Sequence, residues 1–139
     1  MTQFDTGMAN RRAVLGDRHV NKAMQGVDPL AQPLQELVTE YCWGAVWDRP
    51  GLPRPTRSLL TIAMLTTAGH HDELRVHVGG ALRNGCTPDE ISEVIIQSAI
   101  YAGVPAALSA MRVVVAAIAD SQEQAAHVNG ATPEKEGRR

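Results

Sequence analysis

The sequence predicts an all-α protein of about six to seven helices, and three observations carry that prediction. Apolar residues recur at three- and four-residue spacing, no stretch alternates apolar and polar as a half-buried strand would, and the periodic stretches open on an acid or proline and close on glycine. At 139 residues the chain is long enough for one domain with a real core and short for two.

Asp5 to Leu15 reads as a polar amphipathic helix closed by Gly16, and a shorter helix runs from Arg18 to Gln25 before Gly26. These two form an N-terminal arm over residues 1–27. Asp28-Pro29 opens a long helix on which Leu30, Leu34, Leu37, Val38, Tyr41 and Val46 recur, ending near Trp47 at the proline-rich DRPGLPRP. Pro55 then suits the first turn of a nearly all-apolar helix that stops at Gly69. The next helix spans Asp72 to Asn84, with Leu74, Val78, Ala81 and Leu82 as its core stripe and Gly85 as its left-handed stop. Thr87-Pro88-Asp89-Glu90 supplies an N-cap, a first-turn proline and a capping-box acid for a helix to Ala102. Gly103-Val104-Pro105 breaks the line before a last apolar helix to Asp120, which completes a domain over residues 28–120. Residues 121–139 are polar, poor in aliphatics and broken by glycine and proline, so a disordered tail is expected.

Thirteen Lys and Arg against fifteen Asp and Glu give a net charge of -2, a balance that recommends neither nucleic acid nor an anionic membrane as partner. A small molecule or a protein is expected instead. The N-terminus lacks the apolar core of a secretory signal, and no uninterrupted apolar run reaches membrane-spanning length, so a soluble cytoplasmic protein is expected. Cys42 and Cys86 stand far apart and outside any CxxC, which suits reduced thiols. The last helices are apolar on more faces than one small monomer can hide, which predicts a homo-oligomer, with Val114 buried so that an Asp there dissociates or unfolds the protein.

Residues 70–77 read HHDELRVH, and on a helix His70, Glu73 and His77 share one side. Three readings fit: a solvated helix face, a metal site lacking an obvious fourth ligand, and an acid–base pair in which Glu73 orients His77 and raises its pKa. Arg49, Arg54 and Arg57 crowd the connector and the following helix start, where they are either solvated or form a carboxylate site with the exposed amides. Tyr41, Trp43 and Trp47 on the preceding helix either wall a pocket or belong to the core.

Four stretches, ELVTEYCWGAVWDRPGL, TRSLLTIAML, ELRVHVGGALRNG and DEISEVIIQSAIYAGVPAA, together with RRAVLGDRHV in the arm, resemble the carboxymuconolactone decarboxylase family over roughly residues 8–118. The resemblance implies the alkylhydroperoxidase-D-like helical fold, assembled as a ring-shaped homo-oligomer, commonly a hexamer. In the peroxidase branch of that superfamily the same helix carries CxxCxxxH; here His70 and Glu73 stand at the cysteine positions and His77 at the histidine. Ser58 stands where that branch has its proton-relay glutamate, so thiol peroxidase chemistry is disfavoured.

The implied reaction is decarboxylation of 4-carboxymuconolactone to 3-oxoadipate enol-lactone in the protocatechuate branch of the β-ketoadipate pathway. The substrate is a small lactone carboxylate whose own carbonyl is the electron sink, so neither an organic cofactor nor a metal is expected. On that chemistry His77 is assigned as proton donor or oxyanion partner and Glu73 as the group that orients it. Arg57 and Arg54 are assigned to carboxylate binding, with Arg75 as a substitute for either, and Trp47 and Tyr41 to the apolar wall. A decarboxylase of another lactone, and a non-catalytic oligomeric binding protein, are the competing readings.

Overall fold

The computed structural model describes residues 1–130, and every regular element in that range is helical. Helix α1 spans Gln3–Leu15 and begins in a reciprocal cap: the Asp5 amide donates to the Thr2 hydroxyl at 3.1 Å while the Thr2 amide donates to the Asp5 carboxylate at 2.9 Å. Gly16, at φ 85°, turns the chain directly into α2, Asp17–Met24. A side chain on Gly16 would meet the Arg83 guanidinium at 3.1 Å, so glycine serves both the turn and the approach.

The long helix expected from Asp28 starts later and is wound differently. Asp28 instead caps a turn, its carboxylate accepting from the Leu30 amide at 2.8 Å, and α3 covers only Gln32–Leu37. From Val38 to Val46 the winding widens into a π-helix, closed by the Trp47 amide donating to the Cys42 carbonyl at 2.9 Å. Winding of this kind is rare and often found at functional sites.

The arm is an integral layer of the fold. It lies against the π-helix so closely that a Cβ on Gly7 would stand 2.0 Å from the Thr39 carbonyl oxygen, and one on Gly44 would stand 2.5 Å from that of Gln3. Val14, Leu15 and Val20 of the arm pack with Trp43 and Trp47 in a first core.

The second core belongs to α4 (Arg54–Ala68), α5 (His71–Arg83), α6 (Pro88–Ala102) and α7 (Val104–Gly130). Ile62, Leu74, Val78, Ile91, Ile95 and Val114 are its largest fully buried members. The boundaries follow the sequence signals: Gly69 ends α4 in the left-handed conformation at φ 72°, and Thr87 with Glu90 caps α6 reciprocally.

Two expectations are corrected here. Helix α7 continues to Gly130, past the boundary at Asp120, because SQEQAAHV contains good helix formers and no breaker, and extending an existing helix needs no new nucleus. The rest of the expected tail, residues 131–139, lies outside the described residues. By length and hydropathy α7 also meets the measure of a membrane-crossing helix, contrary to the reading from uninterrupted runs, although its Ala107, Ala110, Val114 and Ala117 face packs into the core. Val114 is buried as expected, 1% exposed within the protomer itself, which leaves Val104, Leu108, Val115 and Val128 as the exposed large apolar residues of that helix.

Candidate active site

On α5, a regular α-helix, Leu74, Val78 and Ala81 point into the second core while His77 turns toward the first. Gly80 permits this junction, since a Cβ there would press against Val14 at 3.0 Å. The His77 ring lies nearly parallel to Trp43, with centroids 5.9 Å apart and planes 6° apart. Trp47 stacks on Trp43 at 4.9 Å and stands 6.2 Å from His77, so three rings from two helices form one cluster.

The environment decides the protonation of His77. Its Nδ1 is buried without a hydrogen-bond partner among the described residues. Burial, followed by the nearby His19, pushes its pKa from 6.5 down to about 4, and the charge of Glu73 opposes this only in part. At neutral pH the imidazole is therefore uncharged. Glu73, expected to orient His77 or raise its pKa, does push that pKa upward but is outweighed by desolvation; it is exposed and forms no hydrogen bond with His77 among the described residues.

A cleft of about 450 Å³ opens beside the imidazole. Arg11, His19, Gln35, Cys42, Trp43 and His77 line it, with the exposed Asp72 and Glu73 also on its surface. Arg11 is 5% exposed; it donates from Nη1 to Thr39 Oγ1 at 3.0 Å and from Nη2 to Gln35 Oε1 at 2.9 Å. The residues that sequence reasoning missed, Arg11, His19 and Gln35, reach the cleft from three different helices. One signal was available: Arg11, Val14 and Leu15 sit at i, i+3 and i+4, which places the arginine on the buried face of α1.

Other predicted site residues lie elsewhere. Arg54 donates to Asn10 Oδ1, and Asn10 in turn donates to the Trp43 carbonyl and to Asp48, both at 3.1 Å, so Arg54 braces the first core from outside the cleft. Arg57 donates to the Arg49 carbonyl at 3.0 Å and also stays outside. Tyr41 is 58% exposed on the outer side of the π-helix, whereas Trp47 is buried behind the cleft. Arg75 is ion-paired with Asp120. No set of three His, Cys, Asp or Glu side chains comes together as metal ligands among the described residues, His70 being exposed at the start of α5. Both cysteines are free, and burial raises both thiol pKa values. Cys86 lies in the second core, donating to the Pro55 carbonyl, so Cys42 in the cleft has no thiol partner beside it.

Helices throughout the described residues, a cleft beside His77 and two free thiols agree with the resemblance drawn from sequence. The carboxymuconolactone decarboxylase family model matches residues 32–116, and the chain belongs to this family. A 4-carboxymuconolactone decarboxylase of Acinetobacter baylyi (strain ATCC 33305 / BD413 / ADP1) is 44% identical over 109 residues, 78% of this chain and 81% of that protein. A nitrosuccinic acid decarboxylase of Metarhizium robertsii (strain ARSEF 23 / ATCC MYA-3075) is 43% identical over 117 residues, 84% and 82% of the two chains. An uncharacterized 15.0 kDa protein of Paracoccus denitrificans is 32% identical over 73% of this chain and 77% of its own.

Proposed function

We propose that the chain is a carboxy-lyase that converts 4-carboxymuconolactone to 3-oxoadipate enol-lactone without a cofactor, in the protocatechuate branch of the β-ketoadipate pathway. The observation that carries this reading is the 44% identity to a decarboxylase of that name across about four-fifths of both chains. The bond from the γ-carbon to its carboxylate breaks, and CO2 leaves. The electron pair moves through the ring double bond onto the lactone oxygen, and a proton then adds at the α-carbon.

His77 serves both later events in this reading. Its neutral imidazole donates an N–H to the developing oxyanion, and the negative charge of the bound substrate raises its affinity for the proton that ends on carbon. Glu73, four residues earlier on the same helix, adds charge that favours the imidazolium. The stacked Trp43, backed by Trp47, gives the departing carboxylate an apolar wall. Arg54, Arg57 and Tyr41 hold no place in this cleft within one protomer.

The Metarhizium relative favours a second reading, decarboxylation of another carboxylate that carries its own electron sink, since a nitro group accepts the electron pair as a lactone carbonyl does. In either case we infer a homo-oligomer, with a hexameric ring as the family arrangement, supported by side chains such as Leu30 at 93% and Ile100 at 80% exposure. A cytoplasmic site of action accords with the two free thiols.

Freshly generated 4-carboxymuconolactone, followed by ultraviolet absorbance, tests the proposal. Chelator-treated protein is expected to turn it over, and His77→Gln to slow turnover by about 10²–10⁴-fold, the usual scale for a positioned acid. No conversion by the intact protein would overturn the reading. Activity lost to chelation and restored by zinc would replace it with a metal mechanism.

A further inference from the structure

Arg11 carries its charge into the interior of the fold without an anion. It is 5% exposed, and its hydrogen bonds reach neutral acceptors: Thr39 Oγ1, Gln35 Oε1 and, at 3.7 Å, Met24 Sδ. Its Nε is buried and has no partner among the described residues. The ion pairs found there, Arg12 with Asp17 and Arg75 with Asp120, leave it out. Asp72 and Glu73 share the cleft, but both are exposed and neither is bonded to the guanidinium.

A buried cation with neutral acceptors alone is costly unless a counter-charge arrives from elsewhere. The cleft is the route by which one can arrive, because Arg11 lines it together with His77 and His19. The bonds to Thr39 and Gln35 hold the guanidinium plane in place before any ligand binds. A guanidinium so fixed suits the paired oxygens of a carboxylate.

We propose that Arg11 is the anchor of a carboxylate subsite in the cleft, and that it holds the substrate carboxylate which is not lost. This rests on the decarboxylase reading for the identity of the substrate, though not for the chemistry of the subsite. A carboxylate paired with a guanidinium is stabilised as an anion and resists leaving as CO2, so Arg11 must take the spectator group. The scissile carboxylate is then left against Trp43, beside His77. The reaction thus uses Arg11 to position, with the binding energy of the remote arm directed to the reacting carbon.

Succinate serves as a probe that carries the carboxylates without the reacting lactone. In the wild-type protein, titration with succinate is expected to shift the Arg11 Nε–H resonance in nitrogen-15 spectra, and uncharged dimethyl succinate to leave it still. Arg11→Gln should abolish succinate binding measured by calorimetry and lower kcat/KM for the lactone about 10²-fold, in the range for losing a charged hydrogen-bonding partner. Arg11→Lys, which keeps the charge without the fork, should retain part of both. If Arg11→Gln fails to fold, the wild-type resonance and the lysine variant decide the matter. An unmoved resonance at saturating succinate, no succinate binding by the wild type, or equal kcat/KM in a folded Arg11→Gln variant would overturn the subsite. Succinate bound through Arg11 by a protein inert toward the lactone would instead overturn the decarboxylation reading and leave the subsite standing.

Discussion

His77 makes the stability of this protein depend on pH in a direction set by its burial. Its pKa is about 4 in the fold against 6.5 ordinarily, so above pH 6.5 it is neutral in both folded and unfolded chains and adds no pH dependence. As pH falls from 6.5 toward 4, the unfolded chain binds a proton that the folded one refuses. Stability declines across that window and levels off below it, by at most about 3 kcal/mol from this group. His19, also depressed by burial and by neighbouring cations, adds a loss of the same sign. Urea midpoints taken from pH 7 to pH 4.5 should therefore fall less steeply for His77→Phe than for the wild type; equal slopes would mean that His77 is not held neutral. At this scale the sequence was partly legible. His77 and Glu73 were readable because a regular α-helix turns spacing into geometry. Arg11 and His19 were obscured because their nearness to His77 is made by packing between helices. Arg54 and Arg57 lie outside the cleft of one protomer, since closeness to Trp47 along the chain says nothing of which acceptor a guanidinium finds.

At the scale of elements, the Thr87–Glu90 capping box and the glycine stops placed helix ends well, because those signals are local and chemical, whereas the Thr2–Asp5 cap that starts α1 went unread. The π-helix had no such signal. Its wider winding is compatible with ordinary helix-forming residues, and its fit against α1 depends on two glycines far apart in sequence. Gly7→Ala tests that fit. The new methyl group would stand 2.0 Å from a backbone oxygen that no side-chain rotation can remove, so α1 and the π-helix must separate. A loss on the order of 2–3 kcal/mol is expected in urea denaturation, the scale of an overpacked core. Activity should fall as well, because the same separation disturbs the Arg11–Thr39 bond. Gly51→Ala, at a turn where an added Cβ meets nothing within 4 Å, is the matched control and should change little. Similar stability for both variants would show that the helices yield at the crossing.

For the whole molecule, the apolar surface left uncovered by one protomer lies on α4, α6 and α7 and on α3 with the π-helix. Ile100 and Tyr101 are 80% and 87% exposed, and Leu34 is 60% exposed. Apolar residues on too many helical faces are the ground for proposing an assembly, but periodicity alone does not say which face the chain's own core claims and which is left for a subunit contact; Val114 falls in the core. Two substitutions separate these roles. Ile100→Asp should yield a smaller species by light scattering with helical content unchanged, since an unpaired carboxylate is intolerable in an apolar contact and harmless in water. Val114→Asp should unfold the protomer outright. An unaltered oligomer carrying Ile100→Asp would place the contact on another face, and a monomeric wild type at micromolar concentration would end the proposal of an assembly.

The ring cluster at the cleft also makes the protein its own indicator. The sequence contains two tryptophans, and both stand within about 6 Å of the His77 ring by centroid. An imidazolium quenches a neighbouring indole more strongly than a neutral imidazole does, so tryptophan emission, excited at a wavelength that spares Tyr41 and Tyr101, reads the charge of one side chain. Brightness should dim as His77 acquires its proton, whether acid supplies it or a bound dianion draws it in. A loss of light at neutral pH on ligand addition, absent in His77→Phe, would make the loading of the proton visible within a single turnover.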